Sequence, residues 1–296
     1  MPVILDHQLR EQINHNAAQF PVAYFCNELA ALPNREGPLH WHTDFELATA
    51  ASGVVDVQVG QQHITLTAGD SIFINGNTLH GIKQLSGDTP DLMPNIVFSG
   101  AAVASETDVI YRKYIQPVAQ CDTLPFILFR QKTGWHKEVN RLIQQVYRLM
   151  CEQGPCYEMA VQRALSCIFE QIFLHLEDLP KAENTRIQIH AQIRMQKMLS
   201  YIREHYKEAV TLEEIAKAAN ISRSEAGRCF NTYMGCSPVE ALIQHRLQTA
   251  HRLLRDTTLT LQEISLACGF NSVHYFIRQF RQTFGCTPGE YRTAGK

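Results

Sequence analysis

Two stretches in the last hundred residues follow one pattern, about fifty residues apart. The first runs Thr211-Leu-Glu-Glu-Ile-Ala, Asn220-Ile-Ser-Arg, Phe230 and Gly235-Cys-Ser-Pro-Val-Glu240. The second runs Thr260-Leu-Gln-Glu-Ile-Ser, Gly269-Phe-Asn-Ser, Phe280 and Gly285-Cys-Thr-Pro-Gly-Glu290. The offset is 49 up to the turn and 50 after it, so the second copy carries one extra residue. A repeat with this internal order points to two helix-turn-helix units in one chain.

Each unit opens on a capping box, Thr211 with Glu214 and Thr260 with Glu263, in which hydroxyl and carboxylate satisfy each other's backbone amides. Apolar residues at helical spacing follow: Leu212, Ile215, Ala216 and Ala219, then Leu261, Ile264, Leu266 and Cys268. Asn220 and Gly269 suit a left-handed helix end, and Ile221 and Phe270 are placed to fill the angle between two helices. Ser222 with Glu225 forms a further capping box, and Asn271 is a good N-cap, so reading helices are expected near 223–234 and 272–284. Gly235 and Gly285 end them, and Pro238 and Pro288 start the next helices. Residues 238–255 lack glycine and an internal proline, giving one connecting helix of about 25 Å. Such a helix can hold two reading helices about one DNA turn (~34 Å) apart. A bland alternative is an all-helical packing domain built from duplicated hairpins.

At these residues the chain resembles the DNA-binding domain of AraC/XylS-type transcriptional regulators, from about 190 to 292. The most specific stretch is Ala267-Cys-Gly-Phe-Asn-Ser-Val-His-Tyr-Phe-Ile-Arg-Gln-Phe, with Gly285-Cys-Thr-Pro-Gly-Glu-Tyr-Arg292. The resemblance implies that Ser224 and Arg228 of the first unit, and Val273, His274, Tyr275 and Arg278 of the second, face double-stranded DNA at two adjacent major-groove elements. Arg228 and Arg278 can take guanine O6 and N7 bidentately, or clamp a phosphate. Arg223, Ser272 and the helix N-terminal amides suit phosphates. Gly227 falls where a reading side chain is expected. Charge agrees with this division. Net charge is −2, yet residues 186–296 hold 15 Lys and Arg against 9 Asp and Glu, while residues 1–185 hold 12 against 20. A basic end on an acidic remainder suits a phosphate-contacting domain joined to one with a different role.

The first hundred residues change to period two. Val55, Val57 and Val59 alternate with Asp56 and Gln58, Ile64 and Leu66 alternate with threonines, and turn signals fall at Gly60, Gly69 and Asn75–Asn77. Short strands at this spacing indicate an antiparallel sandwich or barrel. Within it, His40-Trp-His42-Thr-Asp-Phe-Glu46 puts His40, His42 and Glu46 at one parity, on one face of an uninterrupted strand, with Trp41 outside. With Gly69-Asp-Ser-Ile-Phe-Ile-Asn-Gly-Asn-Thr-Leu-His80, it resembles the two motifs of the cupin superfamily. That resemblance implies a barrel holding a metal on His40, His42, Glu46 and His80; Asn75 and Asn77 depart from the family's pattern. Three imidazoles and a carboxylate suit several divalent ions. Equally, the same four residues can wall an effector pocket, since polar groups facing a barrel interior mark a ligand site.

Residues 102–185 return to helical spacing. Val139, Leu142, Ile143, Val146, Leu149 and Met150 make one stripe; Ala164, Leu165, Ile168, Ile172 and Leu176 make another, with Gly154-Pro155 between. These helices are expected to pack under the barrel and to serve a homodimer. Pro180–Arg186 is the linker candidate, and Ile189, Ile193, Met195, Met198, Leu199, Ile202 and Tyr206 suit the next helix. The expected organisation is α+β and multidomain: a cupin or jelly-roll-like antiparallel barrel over 1–100, a helical segment over 101–185, and an all-α double helix-turn-helix domain over 186–296.

Nine cysteines show no zinc spacing and read as reduced, buried thiols. No signal peptide and no membrane-length apolar run is evident, so a soluble cytoplasmic chain is expected. The functional expectation is a transcription regulator, an activator by family habit, whose barrel binds a small-molecule effector such as a sugar. No cofactor is required beyond the divalent metal that the four barrel residues can hold. No serine or cysteine nucleophile arrangement is present, so no enzyme is expected. The alternatives are a metal-dependent cupin enzyme with an appended DNA-binding domain, and an architectural DNA-binding protein.

Overall fold

Period-two alternation in the amino-terminal half resolves into two antiparallel sheets. The computed structural model describes residues 20–29, 35–85, 92–132, 134–181 and 186–294, so the amino terminus read for a signal peptide lies outside them. The chain divides into two units, the first ending at Ile189 and the second starting at His190.

In the first unit the strands are β1 (Val22–Glu28), β2 (Glu36–His40), β3 (Phe45–Thr49), β4 (Val54–Val59), β5 (Gln62–Thr67), β6 (Ser71–Ile74), β7 (His80–Gln84), β8 (Leu92–Phe98) and β9 (Phe126–Phe129). One sheet runs β1-β8-β3-β6-β9 and the other β2-β7-β4-β5. Val55, Val57, Val59, Ile64 and Leu66 of the second sheet meet Ala48, Ile72, Ile74 and Met93 of the first, forming an apolar layer between the sheets. Gly60 turns the β4–β5 hairpin at φ +60°, and Gly69 turns the crossing from β5 to β6 of the other sheet at φ +90°, where a side chain would be strained.

The other face of the five-stranded sheet carries Phe45, Leu47, Phe73, Ile96, Phe98 and Phe129, covered by α2 (Gly134–Glu152) and α3 (Tyr157–Leu174). Phe169 of α3 packs against Phe45, Phe73 and Phe98, with ring centroids 5.3, 6.1 and 6.2 Å away. The buried stripes Val139–Ile143–Val146–Met150 and Val161–Leu165–Ile168–Ile172 face this sheet and each other, as helical spacing requires.

The helical expectation for 102–185 missed β9. Its four consecutive apolar residues, Phe-Ile-Leu-Phe, carry no period that separates strand from helix, and pairing with β6 makes them an edge strand. A π-helical turn (Tyr111–Ile115) and α1 (Gln116–Ala119) precede it. Asn75, a departure from the cupin pattern, serves the packing of this segment. Its amide donates to Val118 O at 2.8 Å and Leu124 O at 3.1 Å.

The second unit comprises most of α4 (Arg186–His205), with α5 (Leu212–Ala218), α6 (Arg223–Met234), α7 (Pro238–Asp256), α8 (Leu261–Ala267), α9 (Val273–Phe284) and α10 (Pro288–Ala294). Met195, Met198, Leu199 and Ile202 are buried as expected, whereas Ile193 is 42 % exposed and Leu266 is 63 % exposed. Both lie off the stripes that their neighbours make. Most of the expected linker, and the Ile189 side chain, lie outside the described residues. The cysteine expectation also changes: all nine thiols are free, but only Cys229 and Cys268 are buried, while Cys26, Cys151 and Cys156 are exposed. Among the described residues no helix is long and apolar enough to cross a membrane.

Candidate functional site

Local hydrogen bonding builds the two helix-turn-helix units. Thr211 and Glu214, and Thr260 and Glu263, form complete capping boxes at α5 and α8. Ser237 with Glu240, and Thr287 with Glu290, repeat the arrangement after α6 and α9. Ser222 caps α6 by accepting from Glu225 N at 3.2 Å. The expected reciprocal bond there gives way to an ion pair, Glu225 with Arg194 of α4. The cap of α9 is Ser272 rather than Asn271; its hydroxyl accepts from Tyr275 N at 3.3 Å. The extra residue of the second copy is thus absorbed in the turn before α9.

Asn220 and Gly269 take the left-handed conformation, at φ +55° and +77°. A Cβ on Gly269 would lie 2.4 Å from Tyr206 O, so glycine also permits the α4–α5 loop to lie against the second turn. Phe270 is buried and plugs its turn, while Ile221 is only half-buried. Arg246 of α7 donates to Tyr206 O and Glu208 O, both at 2.7 Å, with its guanidinium 5.8 Å from the Phe270 ring centre. One side chain therefore ties the loop before the first helix-turn-helix to the turn of the second.

On α6, Arg223, Ser224 and Arg228 are exposed, and Gly227 is half-exposed. On α9, His274 and Arg278 are exposed, and Val273 and Tyr275 are half-exposed. The Tyr275 ring packs against Phe270 at 6.2 Å and lies under the Arg278 guanidinium at 5.3 Å. Sequence reasoning overlooked one further position per helix. Asn231 and Arg281 are exposed one turn beyond Arg228 and Arg278, and i, i+3 spacing alone puts them on the same face.

Between the sheets, His40, His42, Glu46 and His80 are buried, and their ligand-type atoms lie within 4.8 Å of one another. The route there differs from the one expected. The strand breaks after His40, which pairs with His80 in the four-stranded sheet, while Glu46 belongs to the five-stranded sheet. The cluster therefore bridges the sandwich, and Trp41 is half-buried.

Each imidazole places Nδ1 against a backbone carbonyl: His40 on Pro38 at 2.9 Å, His42 on Asp44 at 2.8 Å and His80 on Thr78 at 2.8 Å. Carbonyls only accept, so every Nδ1 carries the proton and Nε2 is the atom left for the centre. Nε2 of His42 and of His80 lie 3.2 and 3.0 Å from Glu46 Oε2, while Asn95 donates to Oε1 at 2.8 Å. Unprotonated nitrogens at those distances would oppose lone pair to lone pair. A positive charge, either protons or a metal ion, completes the arrangement. Burial alone would raise the Glu46 carboxyl, but the hydrogen bonds and charges of His42 and His80 hold it well below the usual range. Burial, then repulsion by His80 and His42, pushes His40 well below the ordinary imidazole value.

Comparison with known proteins matches the helix-turn-helix domain family over residues 215–294 and the cupin domain family over 29–92. The HTH-type transcriptional regulator YdeC of Bacillus subtilis is 29 % identical over 98 % of this chain and 97 % of its own. An AraC-type DNA-binding regulator structure from Chromobacterium violaceum is 30 % identical, covering 36 % of this chain and 96 % of that one, with a TM-score of 0.34. The chain carries an AraC-type helix-turn-helix domain behind a cupin domain, and along nearly its whole length it is similar to an HTH-type transcriptional regulator. The melibiose operon regulatory protein of Escherichia coli K12 is 22 % identical over 86 % of this chain and 82 % of its own. With these two domains the chain is a DNA-binding transcriptional regulator with a cupin-like amino-terminal domain. Cupin motifs were legible in the histidines and glutamate; Asn95, forty-nine residues from Glu46, had no local signal.

Proposed function

We propose that this regulator binds a small effector in its cupin-like unit, which spans the barrel and helical segment, and reads two adjacent DNA elements with the carboxy-terminal unit. The bridging cluster of His40, His42, Glu46 and His80 carries the effector part. A buried carboxylate and three oriented imidazoles beside the apolar layer between the sheets suit a hydroxyl-rich ligand, in keeping with the melibiose operon regulator among the relatives. The effector acts by differential affinity for two arrangements of the chain, since equal affinity shifts nothing. Activation in the cytoplasm is the expected outcome. In DNA binding, Ser224, Arg228, Val273, His274 and Arg278 face base edges, Tyr275 supports Arg278, and Arg223 and Ser272 meet phosphates.

A second reading of the barrel has its own support. Three Nδ1–H groups held by carbonyls are the outer bonds that orient imidazoles toward a metal. His40, His42, Glu46 and His80 would hold a divalent ion, which would supply positive charge at Glu46. Thermal unfolding of the full chain against sugars, sugar acids and divalent metals, with and without chelator, separates the two. A midpoint raised by a sugar and indifferent to chelator supports the pocket; loss with chelator, restored by one metal, supports the ion. No response to any of them defeats the sensing role. A cupin enzyme with a DNA-binding tail would require turnover that His42→Ala abolishes.

The chain acts as a homodimer through α3. Met159 and Leu174 are 64 % and 66 % exposed, and with Arg163, Ser166, Cys167 and Glu170 they share one helical stripe. A two-fold axis crossing between Ser166 and Cys167 sets Met159 on the second copy's Leu174 and Arg163 on its Glu170, with small residues at the crossing. Among the described residues neither Arg163 nor Glu170 has an ion-pair partner within the chain. In sedimentation, Arg163→Glu or Glu170→Arg should dissociate the dimer and the double variant should restore it. Dimers in both single variants refute the pairing.

A further inference from the structure

We propose that α6 enters its groove more deeply than α9, and that Gly227 is the residue that permits it; this rests on the DNA-reading role given to α6 above. Glycine is the least favourable helix-interior residue after proline, yet Gly227 sits mid-helix in α6. The fold does not require it there. A Cβ at Gly227 meets nothing within 4 Å, and the residue has no left-handed backbone. At Gly37 and Gly100, by contrast, close neighbours explain the glycine: a Cβ would come within 2.6 Å of Ile82 and 2.8 Å of Tyr111.

The flanking positions follow the same trend. Ser224, one turn before, and Asn231, one turn after, are short and exposed. Aligning the caps Ser222 and Ser272 places His274, Ile277 and Arg281 of α9 opposite Ser224, Gly227 and Asn231. At each position α9 carries the bulkier side chain. The α6 surface is therefore low, with Arg228 as its one long central side chain. A low surface lets the helix backbone approach base edges, so that the space a Cβ would take at 227 belongs to DNA.

The test uses the full chain and a tandem duplex element recovered by its binding from a random library. Gly227→Ala and Gly227→Leu are compared with Gly289→Ala, another helical position where a Cβ meets nothing within 4 Å. Both Gly227 variants should melt no lower than the parent. Affinity for the element should fall about tenfold for alanine and further for leucine, the scale of one lost base contact. Protection should be lost at the first half-element and kept at the second, with Gly289→Ala unchanged. Undiminished affinity of Gly227→Leu overturns the proposal. So does a loss that tracks a lower melting temperature, because the fold would then need the glycine. A parent that enriches no element defeats the DNA-reading role itself, a separate failure.

Discussion

Replacing Arg246 with methionine tests whether the two helix-turn-helix units are held as one body. The substitution keeps most of the aliphatic stem over Phe270 but removes two charged donors, each 2.7 Å from a backbone carbonyl. Hydrogen bonds from charged groups contribute roughly 1.5–3 kcal/mol each. Glu208 is exposed, so water replaces that bond and its loss costs about 1 kcal/mol or less. Tyr206 is half-buried, and its carbonyl bears most of the fuller cost. Adding a cation–π contribution of about 0.5–1 kcal/mol gives a total near 2–4 kcal/mol. At a urea slope of about 2 kcal/mol per M, the midpoint should fall by about 1–2 M. Hydrogen exchange at α8 and α9 amides localises the loss to the second helix-turn-helix. A base pair inserted between the two DNA elements should weaken the parent strongly and Arg246→Met less, because the loosened pair tolerates a changed phase. A stability change below about 0.5 kcal/mol, well under the range for such bonds, with unaltered spacing dependence would refute the clamp.

Three further outcomes follow from the same geometry. Arg278→Ala should weaken the selected element by about 1–3 kcal/mol and random DNA much less; equal losses in a competition assay would make Arg278 a phosphate contact. Thr260→Ala removes the α8 cap and should cost about 1 kcal/mol of stability in denaturant. The cap carboxyls Glu214, Glu240, Glu263 and Glu290 sit below their ordinary value of 4.5, chiefly through bonds from the capping backbone. Their stabilisation is complete above that value and disappears as pH falls through the lower folded values, so helicity of the second unit measured below pH 4.5 should drop. Replacing all four with glutamine should flatten that part of the profile.

Much of the second unit was legible because its signals are local. Capping boxes, left-handed turn residues and prolines at helix starts act over three or four positions, and each bounds an element without help from distant contacts. The misplacement of the α9 cap shows the limit: Asn271 and Ser272 are both good caps, and only tertiary packing of the turn chooses between them. In the first unit, alternation revealed the hairpins because one face of each is buried. It could not reveal β9, whose residues are apolar throughout, nor that His40 and Glu46 belong to opposing sheets. The four polar residues were nevertheless found together, because residue type and motif order survive a break in the strand that parity does not. The thiol expectation failed for the converse reason: exposure depends on which helix face meets the sheet, and cysteine suits either side.

The hydroxyl of Tyr147 has a consequence for communication. It donates to Leu47 O at 3.1 Å and lies 3.0 Å from Thr49 Oγ1, both on the five-residue strand that carries Glu46. That strand is the middle one of its sheet, flanked by β8 and β6. Odd and even residues of one short segment thus answer to different neighbours, the histidine cluster on one side and α2 on the other. A shift of the Glu46 backbone is passed to the Leu47 carbonyl, which the Tyr147 hydroxyl holds. It arrives, one peptide bond later, at a helix gripped from the far side.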